Sequence, residues 1–97
     1  MFTIDISDDA LDELRHFRKR DSTMLFDEIE RQLTHQPNVE TRNRKPLRPN
    51  PFAEWELRAD KFRVFYEVDS ESNTVLVKAV GLKVGNKLFV RGEEFPL

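Results

Sequence analysis

The sequence contains no cysteine, only three glycines, and a single tryptophan and a single tyrosine. The missing thiols exclude disulfides, thiolate metal sites and cysteine nucleophiles together. They fit a reducing compartment, so a cytoplasmic location is expected. The longest apolar runs are three or four residues, such as Val75-Leu76-Val77, far short of a membrane span. Met1 to Asp5 lacks a basic segment followed by an apolar stretch, so no signal peptide is expected. No Gly-rich phosphate loop, nucleotide fingerprint or metal-ligand set is visible, so no cofactor is expected. His16 and His35 fall on expected helices without partners at ligand spacing and read as surface residues. A serine triad has no candidate base. Ninety-seven residues suffice for one core, and one domain over 1–97 is the expectation.

The formal net charge is −2, but it is unevenly placed. Residues 1–36 hold five Lys/Arg against nine Asp/Glu, whereas residues 37–97 hold eleven against nine. Arg42, Arg44, Lys45 and Arg48 form a block with no acid between them. Local patches therefore matter more than the total, and this block reads either as a solvated loop or as an RNA-facing one.

Phe2, Ile4 and Ile6 alternate with polar residues, which predicts a short strand. Ser7 followed by Asp8 and Asp9 is a helix start, because a hydroxyl caps free amides and acids suit the positive end of the dipole. Ala10, Leu11, Leu14 and Phe17 recur at helical spacing. Asp21-Ser22 restarts the pattern, and Leu25, Ile29 and Leu33 mark a second helix, with Asp27 and Arg31 paired on its wet side. Pro37 stops it, and the short connection predicts a helical hairpin. Residues 37–52, with Pro37, Pro46, Pro49 and Pro51, read as a loop. Alternating segments follow over 53–58, 61–68 and 75–80, Gly81 breaks the run, and Leu88 to Val90 predict a last short strand. The order β-α-α-β-β-β predicts an α+β sandwich of two layers: an N-terminal strand, a two-helix hairpin, then an antiparallel sheet of three to four strands.

A turn around Ala59-Asp60 sets Arg58 opposite Lys61 and Glu56 opposite Arg63. Trp55, Leu57, Phe62, Val64, Tyr66, Val75, Val77 and Ala79 then share the face under the helices. Glu54, Glu56, Arg58, Lys61, Arg63, Phe65, Leu76, Lys78 and Val80 share the open face. There Arg63 and Arg58 offer forked donors for phosphate, Phe65 a ring for base stacking, and Glu54 or Glu56 a proton acceptor. The competing reading pairs Glu56 with Arg63 as a cross-strand ion pair. Leu76 and Val80 are not needed under the helices, which suggests a surface that something covers.

Leu57-Arg58, then Phe62-Arg63-Val64-Phe65-Tyr66-Glu67-Val68-Asp69, then Val75-Leu76-Val77-Lys78-Ala79-Val80-Gly81 together resemble the RelE/ParE toxin superfamily. The helix pair and Lys45-Pro46-Leu47 stand where that family has theirs, and the resemblance covers about Phe2 to Phe89. It implies the toxin of a type II toxin–antitoxin pair. RelE-like members cut messenger RNA on the ribosome without metal, the 2′-hydroxyl attacking the neighbouring phosphate. ParE-like members inhibit DNA gyrase.

Carried over position by position, Arg63 matches the family's phosphate-binding arginine and Arg58 a nearby one. Lys83 falls where RelE has an arginine, Glu54 and Glu56 where it has two lysines, and Phe89 where it has a tyrosine. The resemblance thus implies a catalytic set of Arg63, Glu56, Arg58 and Lys83, with weakened catalysis. RNA contacts are expected from Arg42, Arg44, Lys45, Arg48, Lys61, Phe65 and Lys78, and partner contacts from Phe65, Leu76 and Val80. The implied partners are a cognate antitoxin, the ribosome and mRNA, with no membrane and no small-molecule cofactor. The alternative is a ParE-like gyrase inhibitor or an inactive relative that only binds its partner.

Overall fold

The computed structural model describes residues 1–95. Its order is β1 (Thr3–Ile6), α1 (Asp8–His16), α2 (Lys19–Leu33), β2 (Arg44–Pro46), β3 (Trp55–Ala59), β4 (Phe62–Asp69), β5 (Thr74–Val84), β6 (Lys87–Val90) and β7 (Glu93–Glu94). The α+β arrangement agrees with the sequence expectation, but the sheet is larger. It runs β2-β3-β4-β5-β6-β7, with β1 added parallel to β5. The extra strands come from the proline-rich loop and the C-terminal segment, both too short to show a period in sequence.

Ser7 starts α1 as expected, its hydroxyl accepting from Ala10 N–H at 3.1 Å. The same hydroxyl donates to the Lys78 carbonyl at 3.0 Å. This second bond matters because β5 is longer than its neighbours on one edge. There β1 pairs residues 74–77 and β6 pairs 82–84. In the gap between them Ser7 serves Lys78, and the Val80 backbone faces Glu13 and favours its charged form. Helix α2 begins at Lys19, earlier than Asp21, with no side-chain cap; the Ser22 hydroxyl instead donates to the Leu14 carbonyl and ties the helices together. Arg31 pairs with Glu28, not with Asp27, because the i,i+3 partner is nearer.

Ala10, Leu14, Leu25, Ile29 and Leu33 pack from the helices onto Leu57, Phe62, Val64, Tyr66, Val75 and Val77. Each fully buried large side chain contributes about 1.5–3 kcal/mol. The Tyr66 hydroxyl donates to the Pro37 carbonyl at 2.7 Å; burial pushes this phenol well above its ordinary pKa, against a smaller pull from Arg44.

Three expectations about the sheet are corrected. The β3–β4 turn is Asp60-Lys61, with Asp60 at φ 56°, so Arg58 faces Arg63 and Glu56 faces Phe65. This shift of two residues preserves the faces and changes the pairs. Second, the β4–β5 register jumps between Phe65 and Tyr66, leaving Lys78 as a bulge. Beyond a bulge the alternation inverts, so Val80 joins the core under the helices and Ala79 turns to the open face. Third, Gly81 lies within β5 rather than ending it. A Cβ there would lie 3.0 Å from the Leu88 side chain and 3.1 Å from the Phe89 carbonyl, so glycine lets β6 approach.

Among the described residues, no helix is long and apolar enough to cross a membrane.

A candidate nucleic-acid interface on the open face

The open face is not bare. Ala53, Phe65 and Ala79 form a second buried cluster, covered by Leu47, Phe52, Leu88 and Val90. Asn50 shapes the covering loop: its side-chain oxygen accepts from Phe52 and Ala53 N–H, and its amide donates to the Arg48 and Ala53 carbonyls. Phe52 then packs edge-on against Phe65 at 5.4 Å and meets Phe95 at 4.6 Å. Phe65 is consequently fully buried and cannot stack on a base, and Val80 is equally buried in the main core. Their expected roles as open apolar ground are corrected; of the three expected partner contacts, Leu76 alone is exposed.

Arg44 is a further correction. It lies opposite Leu57, on the helix side of β2, and is 8% exposed. Its guanidinium donates to the Gln32 carbonyl (3.0 Å), the Gln32 side-chain oxygen (2.7 Å) and the Val39 carbonyl (3.1 Å). It fastens the loop to the end of α2 and is not an RNA-facing charge. Alternation sends Lys45 the other way, opposite Glu56.

Two adjoining clefts flank the covered patch and share Glu56. One, of about 360 Å³, brings together Glu56, Arg63, Lys83, Asn86, Lys87, Leu88, Glu94 and Phe95. The other, of about 670 Å³, is formed by Lys45 to Asn50 with Glu56 and Arg58. Six cations (Lys45, Arg48, Arg58, Arg63, Lys83, Lys87) thus line the pair against Glu56 and Glu94.

Arg63 is held firmly. Its Nη1 donates to the Asp60 carbonyl at 2.9 Å and the Phe62 carbonyl at 2.8 Å, and its Nε stands 3.8 Å from Glu56 Oε1. Arg58 Nε donates to Glu56 Oε2 at 3.2 Å. Glu56 therefore holds both arginines, as the ion-pair reading expects. A preorganised guanidinium beside an open cleft suits a phosphate.

The remaining expected residues lie elsewhere. Arg42 is exposed outside both clefts. Lys61 is exposed in the β3–β4 turn, near the Phe62 ring. Lys78 donates to the Phe52 carbonyl beneath the covering loop. Glu54 accepts from Val68 N–H at 3.1 Å, at the other end of the face. Phe89 lies on the helix side of β6, away from the clefts, while Leu88 and Phe95 border them. Sequence reasoning missed Asn86 and Lys87; the signal was the Gly85-Asn86 turn, which folds β6 back beside Lys83. Among the described residues no cluster of three or more His, Asp or Glu could hold a metal ion.

No protein-family model matches the chain, and no curated protein matches it. Solved structures do. The toxin–antitoxin complex RelBE2 from Mycobacterium tuberculosis is similar at TM-score 0.69 and 21% identity, over 93% of this chain and 98% of that one. The isolated E. coli RelE toxin is similar at 0.69 and 23% identity, over 87% and 86%. The intact E. coli RelBE complex is similar at 0.65 and 27% identity, over 87% and 98%. The chain has the RelE fold, and this likeness supports the RelE/ParE toxin–antitoxin superfamily.

Proposed function

We propose that this chain is the toxin of a toxin–antitoxin pair, that it binds mRNA on the ribosome and that it cleaves the RNA in the cleft around Arg63. What supports the reading most is the meeting of Arg63, Glu56 and Lys83 in one cleft of a RelE-like fold. Glu56 takes the proton of the 2′-hydroxyl, whose oxygen attacks the adjacent phosphorus. The bond from phosphorus to the 5′-oxygen breaks, and that oxygen takes a proton from Lys83. The products are a 2′,3′-cyclic phosphate and a 5′-hydroxyl. Arg63, with Arg58 beside it, stabilises the charge on the phosphoryl oxygens, and the base contributes about 10²–10⁴-fold.

A second reading is favoured by one contact set: both Glu56 oxygens face guanidinium groups, as a counter-ion's would. On that reading the chain is a ParE-like gyrase inhibitor, or binds its partner without cutting. Primer-extension mapping of a message translated with the purified protein separates the two. New cuts that vanish with Arg63→Ala support the nuclease. Intact message with blocked gyrase supercoiling supports the inhibitor.

A further inference from the structure

A further cavity, walled mainly by apolar side chains, lies apart from the two basic clefts. It lies between α1 and the β5–β6 hairpin, on the helix side of the sheet, beside the stretch of β5 between its pairings with β1 and β6. Its volume is about 500 Å³, and Phe17, Val80, Leu82 and Phe89 form its walls. Asp12, Glu13, His16 and Arg91 stand at its mouth.

The charges at this mouth have a definite sign. Arg91 bridges three carboxylates of α1, and His16 Nδ1 stands 3.8 Å from Asp12 Oδ1. Arg91 Nη2 is 2.9 Å from Asp9 Oδ1 and 4.0 Å from Asp12 Oδ2, and its Nε is 4.0 Å from Glu13 Oε1. Three acids around one guanidinium leave an excess of negative charge. Glu13 is only 7% exposed, and burial raises its pKa while the Val80 backbone and Arg91 pull the other way. Arg91 also marks the chemistry that the mouth accepts, a planar cation above an apolar floor. Phosphate is repelled here, so RNA is not the occupant.

We propose that this cavity is a docking site for the antitoxin, taking one large apolar side chain between Phe17 and Phe89 and a neighbouring lysine or arginine against Asp9 and Asp12. The occupant's identity as the antitoxin rests on the toxin reading above; its chemistry rests on the cavity. Strand β6 links the two sites, with Leu88 bordering the basic cleft and Phe89 the cavity. One chain passing around the β6–β7 edge reaches both, presenting acids to the first and an apolar-basic pair to the second.

The test uses phenethylamine, an aromatic ring carrying an ammonium group, added to the ¹⁵N-labelled full chain and followed by NMR. Saturable shifts centred on Phe17, Leu82 and Phe89 are expected, with Kd on the order of 1 mM. Phenylacetate, of opposite charge, should bind about tenfold more weakly, and so should phenethylamine to the rim variant Asp12→Lys. Leu82→Phe, which fills the cavity, should abolish the shifts. Equal binding of phenylacetate, or no saturable shift, overturns the site. The protein encoded beside this chain is then added. Displacement of phenethylamine supports the docking, whereas a complex that leaves it bound overturns the docking proposal alone. Absence of any complex overturns the toxin–antitoxin reading, and the docking with it.

Discussion

Arg58 and Arg63 stand directly opposite each other across β3 and β4, and Glu56 is joined to both. Like charges in directly opposed positions destabilise a sheet, so the glutamate lets two arginines share one patch. Glu56→Gln keeps the shape and removes the charge. The expected outcome is a stability loss of about 0.5–1 kcal/mol by urea unfolding, tighter binding of an RNA oligonucleotide, and cleavage reduced by about 10² or more. Unchanged cleavage would leave Glu56 only its counter-ion role.

Arg63→Ala is expected to abolish growth inhibition on expression while the protein still folds. The side chain is anchored by two backbone carbonyls at a turn, so its loss costs about 1 kcal/mol. A folded variant that still arrests growth removes this cleft from the mechanism. Circular dichroism alongside the growth assay checks both halves.

Lys45, Arg48 and Lys83 line the clefts. If each meets one phosphate, replacing all three by Gln lowers the slope of log affinity against log salt by about two units for single-stranded RNA. An unaltered slope, measured by fluorescence anisotropy, would show that RNA does not track these clefts. Arg44 does not belong in that set. Arg44→Ala strips donors from two Gln32 acceptors and the Val39 carbonyl, and is expected to cost about 2–3 kcal/mol in urea unfolding.

Glu13 predicts a pH effect of definite sign. Burial raises its folded pKa above the unfolded value of 4.5, so over that window the folded state holds more protons than the unfolded one. Its contribution to stability therefore falls as pH rises from 4.5 through the raised value. Thermal unfolding of the wild type and Glu13→Gln across pH 4 to 8 should show this fall in the wild type only. Parallel pH curves would mean that the Val80 contact and Arg91 offset the burial.

Much of the fold was legible in the residues themselves. The Phe2-Ile4-Ile6 alternation predicts β1, Ser7-Asp8-Asp9 marks the start of α1, and the faces of β3 and β4 follow from a period of two. A shift of two residues in register leaves those faces intact, so Glu56, Arg58 and Arg63 share one patch under either set of pairs. Periodicity is local, and it survives wherever a strand continues without interruption.

What the sequence determined is therefore the element order and the clustering of Glu56, Arg58 and Arg63, because both depend on near neighbours along the chain. The tertiary structure decided the rest. A single bulge at Lys78 exchanges Ala79 and Val80 between faces, and no residue type announces it. The loop held by Asn50 crosses the open face and buries Phe65, while the end of α2 draws Arg44 inward. Whether an arginine meets phosphate or a backbone carbonyl, or an aromatic ring meets a base or a second core, depends on which distant segment arrives to satisfy it.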